Sequence, residues 1–236
     1  MRQVPAGGAP PLGIVGSGRV ARHLTFYFTQ LGLGVRTWSR SLDGPTPTES
    51  LDGCGAVLLL IPDRAVEPFV STWPDLTRHR LVHCSGSLVT QAAEAAHPLM
   101  TFGPTLYDPE VYRTIPFVLD DDGAPLDALI PGLPNPWFTI PAGERPYYHA
   151  VCVLAGNFST LLWGKLFEEL ERLGLPASAA HPYLTRVTAN LLAHREAALT
   201  GPLTRGDAAT IETNLRALDG DAYRAVYAAF VEAHRR

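Results

Sequence analysis

Apolar positions along the chain follow two regimes. From residue 12 to about 142, short apolar runs alternate with amphipathic stretches. LGIVG, GVRTWSR, AVLLLIP, LVHCSG, IPFVLDD and WFTIP read as strands. AVLLLIP is apolar throughout, as expected of a strand buried on both faces of a parallel sheet. RVARHLTFYFTQLG carries apolar residues at helical spacing and stops at Gly32. Strands alternating with helices predict an α/β fold with a doubly wound, mostly parallel sheet. Beyond about 143 the strand-like runs end. YYHAVCVLAGNFSTLLWGKLFEELERLG predicts one long helix closing at Gly174. Further helices are expected from about Ser178 to Leu199, from Asp207 as N-cap, and from about Asp221 to His234. The chain is therefore expected to comprise a disordered Pro/Gly-rich lead-in (1–10), an α/β domain (11–142) and an all-α domain (143–236). PAGERP, 141 to 146, is the expected boundary.

The turn after the first strand sharpens this picture. GIVGSGRVA places Gly16-x-Gly18-x-x-Ala21 directly between a strand and a helix, the context of a Rossmann-like dinucleotide fingerprint. Gly16 permits the tight turn, and Gly18 lets a pyrophosphate approach the backbone. Ser17, Arg19 and Val20 complete the turn and the first helical residues, whose free N–H groups suit phosphate. NAD sites usually place an acid at the end of the second strand. Here that region reads Arg36-Thr37-Trp38-Ser39-Arg40. Ser39 and Arg40 suit a 2′-phosphate, so NADP is expected in preference to NAD, with Trp38 beside the adenine. Ile61-Pro62 and Ser85-Gly86-Ser87 end later strands and should face the same crevice, the former with cofactor and the latter with substrate. Asp63 is expected to cap the following helix, and His97 before Pro98 reads as a structural loop residue.

Composition narrows the classes. Hydrophobic residues are 46% and charged residues 18%, which fits a globular core. The net charge of −4, without a basic block, argues against nucleic acid. Cys54, Cys84 and Cys152 are scattered and read as buried reduced thiols, and no spacing of metal-ligating residues suggests a metal. No apolar leader or membrane-length apolar run is read, so a cytoplasmic protein without a membrane partner is expected.

Two later stretches carry candidate chemistry. His149 and Asn157 stand eight residues apart in the long helix and project from roughly one face. In TGPLTRGD, Arg205 precedes a helix start and could hold a substrate carboxylate bidentately.

The order GIVGSGRVA, LLLIPD, VHCSGS, HPLMTF, YYHAVCVLAGNF and TGPLTRGD resembles the bacterial proteins that join a Rossmann-like domain to a DUF2520 domain. Their architecture is similar to that of pyrroline-5-carboxylate reductase, ketopantoate reductase and 6-phosphogluconate-type dehydrogenases. The resemblance implies an NADP-dependent oxidoreductase whose helical domain closes the cleft and often dimerises. Related β-hydroxyacid dehydrogenases carry a GxxxKxxxN helix. Aligning its asparagine with Asn157 puts Val153 at the lysine position. His149 is then the candidate replacement acid. Lys165, the only lysine, is expected to face solvent beside Glu168–Glu169.

Together these readings predict hydride transfer between nicotinamide and a small carbonyl or imine substrate, probed by His149 and Asn157, with homodimerisation through the C-terminal helices. A nucleotide-binding sensor or assembly protein without turnover is the alternative.

Overall fold

The computed structural model describes residues 9–40 and 44–235. Most of the expected disordered lead-in, residues 1–8, lies outside the described residues. Seven strands form one sheet: β1 (Leu12–Val15), β2 (Val35–Trp38), β3 (Ala56–Leu59), β4 (Arg80–His83), β5 (Glu94–Pro98), β6 (Phe117–Asp120) and β7 (Trp137–Ile140). Their order is β2-β1-β3-β4-β5-β6-β7. Neighbours run parallel except β5 and β6, which pair antiparallel.

Alternation along the strands fills both faces. Ile14, Leu58 and Val82 point to one core with Leu24, Tyr27 and Phe28 of helix α1 (Arg19–Gln30). Val15, Val57, Leu59 and Leu81 point to the other, with Val66 of helix α2 (Val66–Thr72). Successive residues face opposite sides of a sheet, so strands covered on both sides lose all polar positions. This is why AVLLLIP shows no alternation.

Six strands follow the apolar pattern. The seventh, β5, does not: Glu-Ala-Ala-His-Pro holds no β-branched or aromatic residue and ends in proline. Pairing on both sides and burial of Ala95 and Ala96 make it a strand. His97, expected in a loop, therefore sits inside the sheet.

After β7 the chain enters helix α3 (Arg145–Val153), a π-helical turn (Leu154–Phe158) and helix α4 (Ser159–Arg172). Arg145, read at first as part of a linker, is fully buried. It pairs with Asp120 at the end of β6 and donates to the carbonyls of Val118 at 3.1 Å and Ser85 at 3.5 Å. One compact unit ends at Ser159 and a second starts at Thr160. The change in apolar pattern comes earlier, near 143, because α3 packs on the sheet although it is helical.

The second unit holds most of α4, then helices α5 (His181–His194), α6 (Ala208–Ala217) and α7 (Tyr223–His234). Asp207 caps α6, accepting from the Thr210 amide at 3.0 Å. Lys165 does not simply face solvent. It binds Glu169 at 2.8 Å and Asp221 at 2.6 Å, joining α4 to the start of α7. The helical run Ala142–Arg172 is long and apolar enough to cross a membrane by length and composition alone. Its first turns, however, hold the buried Arg145 against the sheet.

Candidate active site

The parallel strands end at Val15, Leu59 and His83, and the loops that follow them carry the candidate groups. Gly16 has a φ of +123°, and a Cβ there would overlap the carbonyl oxygen of Leu60. Only glycine suits both the conformation and the close approach. Around a Cβ position at Gly18 there is open space to 4 Å. Helix α1 begins at the next residue, with no side chain capping its first N–H groups. An anion could approach these groups directly.

A cavity of ≈ 970 Å³ opens beside this turn. Gly16, Ser17, Gly18, Ser39, Arg40, Ile61 and Pro62 all line it, as the sequence predicts. Arg19 and Val20 do not; they contribute the first residues of α1. Arg64 joins Arg40 in the wall, and no acidic residue does among the described ones. Trp38 and Phe69 supply the apolar side, their rings 5.7 Å apart. The indole N–H of Trp38 donates to the Pro45 carbonyl at 3.1 Å, which fixes the ring. Open glycine backbone, free helix N–H groups, two guanidinium groups and aromatic surface together fit a phosphorylated dinucleotide.

The loop after β4 is more constrained than its sequence suggests. Ser85 and Ser87 both donate their hydroxyls to Asp63, at 2.7 and 3.1 Å. Asp63 is thus a brace between two strand ends rather than a helix cap. Ser85 Oγ also accepts from the amides of Ser87 and Leu88. The serines' own protons are spent on this brace, and Gly86 between them is buried.

Gly86 meets two imidazoles. A Cβ there would overlap His149 Nδ1 and lie 3.0 Å from His97 Nε2. The His97 and His149 rings stand edge to face, 5.8 Å apart at 87°. Tyr148 OH lies 2.9 Å from His97 Nδ1. Burial, the neighbouring His149 and Arg145 push the His97 pKa down to about 4. His83, at the end of β4, is also lowered to about 4, by burial and then Arg145, against an opposing pull from Asp63. Burial raises the Tyr148 phenol, helped by Cys152 beside it, and pushes the Cys84 thiol up to about 12. At neutral pH these groups are therefore a neutral, desolvated cluster around one permanent cation, Arg145.

Asn157 lies in the π-helical turn and is exposed. Eight residues overshoot two α-helical turns by about one residue. A π-helical turn absorbs one extra residue. The backbone at Asn157 is thereby brought back into line with His149. Arg205 is exposed and ends a four-residue helix, Pro202–Arg205, in the second unit.

Residues 120–234 match the model of the domain of unknown function DUF2520. The matched segment makes up just under half of the chain. It contains the YHA…N helix and TGPLTRGD, two of the motifs that carry the resemblance in the sequence. The DUF2520 segment starts at Asp120, so it includes β7 and α3 of the first unit. Solved structures share the fold over nearly the whole chain. BF3122 of Bacteroides fragilis, provisionally named an NADP oxidoreductase, is 20% identical with a TM-score of 0.76, covering 97% of this chain and 99% of that one. Protein TM1727 of Thermotoga maritima is 23% identical with a TM-score of 0.70, covering 95% and 98%. An imine reductase of Streptomyces aurantiacus is 16% identical with a TM-score of 0.66, covering 96% and 93%. No curated protein matches the chain by sequence.

His83, His97, Tyr148, Arg145 and Arg64 are absent from the sequence-based site. No local sequence signal marks the buried ones among them, because their burial and their partners come from residues distant in the chain.

Proposed function

We propose that this protein is an NADP-dependent oxidoreductase that moves a hydride between nicotinamide and a small carbonyl or imine substrate. The observation that carries the reading is the cavity at the glycine turn, with Arg40 and Arg64 in its wall and no acid among the described lining residues. An acid would hold an unmodified ribose 2′-hydroxyl, whereas guanidinium groups favour a 2′-phosphate. Fold-level likeness to a protein named as an NADP oxidoreductase and to one named as an imine reductase supports the same class. When bound, the dinucleotide supplies the hydride. Gly16, Gly18 and the start of α1 hold its pyrophosphate, and Arg40 with Ser39 selects the phosphorylated ribose. The half-buried His149 supplies a polar contact to the reacting group.

Calorimetry tests this directly. Arg40→Ala should weaken NADPH by roughly 10–100-fold, the value of one charge-assisted hydrogen bond, and leave NADH almost unchanged. Equal losses for the two dinucleotides would refute the phosphate assignment. A sensor without turnover remains the competing reading, because Val153 occupies the position of the related lysine. Such a sensor would bind NADPH yet oxidise it with no member of a panel of 2-oxo acids and cyclic imines.

A further inference from the structure

His149 has two unequal nitrogens. Nδ1 is buried and has no hydrogen-bond partner. Nε2 is not among the buried unpartnered atoms and makes no hydrogen bond among the described residues, so the half-buried ring exposes this nitrogen. What faces Nδ1 is Gly86. The overlap of a Cβ built there with Nδ1 fixes a direction: one Cα–H bond of the glycine lies along it. That C–H therefore points at Nδ1. A nitrogen lone pair accepts such a contact weakly. An N–H at Nδ1 would instead set hydrogen against hydrogen and bury a donor with no acceptor. His97, itself held by Tyr148, stands edge-on and fixes the ring plane, and a half-turn within that plane would set the Cδ2–H against the same Gly86 C–H.

We propose that Gly86 fixes His149 with its proton on Nε2, making it a hydrogen-bond donor to a substrate oxygen, and that the substrate is accordingly a carbonyl compound rather than an imine. The inference rests on the reductase reading above and adds a substrate class and a role to it. A carbonyl oxygen offers lone pairs to Nε2–H. An imine takes up hydride as its protonated iminium, whose N–H would meet the histidine donor head-on. NADPH, when bound, would supply a hydride to the carbonyl carbon and leave as the oxidised cofactor. The new C–H bond displaces the carbonyl π pair onto oxygen, so the substrate carbon is reduced. Nε2–H stabilises the alkoxide, which then takes its proton from water and leaves hydroxide in solution. His149 keeps its own proton throughout, so it polarises the substrate without acting as acid or base.

The decisive measurement needs no cofactor. Two-bond ¹H–¹⁵N correlation spectra of the full chain, labelled with ¹⁵N-histidine, distinguish the two tautomers. The ring is assigned by its contact with the Gly86 α-protons rather than through a variant. The expected result is a protonated Nε2 and a bare Nδ1 in His149 at pH 7.5. A protonated Nδ1 overturns the proposal. With saturating NADPH, 2-oxopentanoate should then be reduced faster than 1-pyrroline-2-carboxylate by roughly tenfold or more, since the latter leaves the donor unpaired. Faster reduction of the imine overturns the substrate class while leaving the reductase reading intact. Failure of NADPH to bind in calorimetry overturns the reductase reading, and this inference with it.

Discussion

Arg145 shows how much a single residue can hide in a sequence. It sits in PAGERP, among the residues that look most like a linker, and is fully buried. Removing one partner of a buried ion pair leaves an uncompensated charge. Arg145→Ala should cost about 3–5 kcal/mol in urea unfolding. Arg145→Met with Asp120→Leu should recover much of that loss, because both charges leave together. The buried histidines give a second prediction with a definite sign. His83 and His97 stay neutral in the folded chain down to about pH 4, against an ordinary value of 6.5. The unfolded chain therefore binds more protons between those limits. Unfolding free energy should fall as pH drops from about 6.5 to about 4, then level off as far as these two groups are concerned. His97→Gln should flatten that slope in denaturant titrations, while carboxylates, common to both proteins, cancel in the comparison. Residues whose placement is local were legible: Gly16 and Gly18 in the turn, Ser39 and Arg40 at the end of a strand beside the cavity. Arg145, His83, His97 and Tyr148 were not, because burial and partners more than twenty residues away define them.

Elements were legible where a periodicity had room to repeat. Helix α1 and the apolar strands followed their patterns, and Asp207 capped α6 as its position implied. Asp207→Ala should lower the urea midpoint with an unchanged slope, as expected for loss of an N-cap. β5 escaped because five residues of small and polar type carry no strand signal; neighbours on both sides impose it. The π-helical turn escaped because LAGNF has ordinary helical composition. Its effect is geometric: it brings the backbone at Asn157 back into line with His149.

For the whole molecule, the two compact units have different surfaces. The first buries its central strands on both faces of the sheet, and its edge strand β7 leaves Trp137 and Phe138 exposed. The second leaves large apolar side chains in water, with Leu192 81% and Leu161 57% exposed, together with Leu191 and Phe230. Monomers rarely leave so many such groups uncovered. We propose that a second copy covers them. Sedimentation should report twice the chain mass, and Leu191→Asp with Leu192→Asp should yield a monomer of unchanged helicity. A wild-type monomer at micromolar concentration would refute this.

The start of the family segment at Asp120 has a consequence for heredity. Recombination at that point would separate the last residue of β6 from the strand it completes. It would strand β7 without the partner to which it hydrogen-bonds. It would also send Arg145 away with Asp120 but without the Val118 carbonyl or the Ser85 loop. A gene exchange at the family boundary would thus yield two broken pieces. The segment from Asp120 therefore depends for its packing on β6 and the Ser85 loop that precede it.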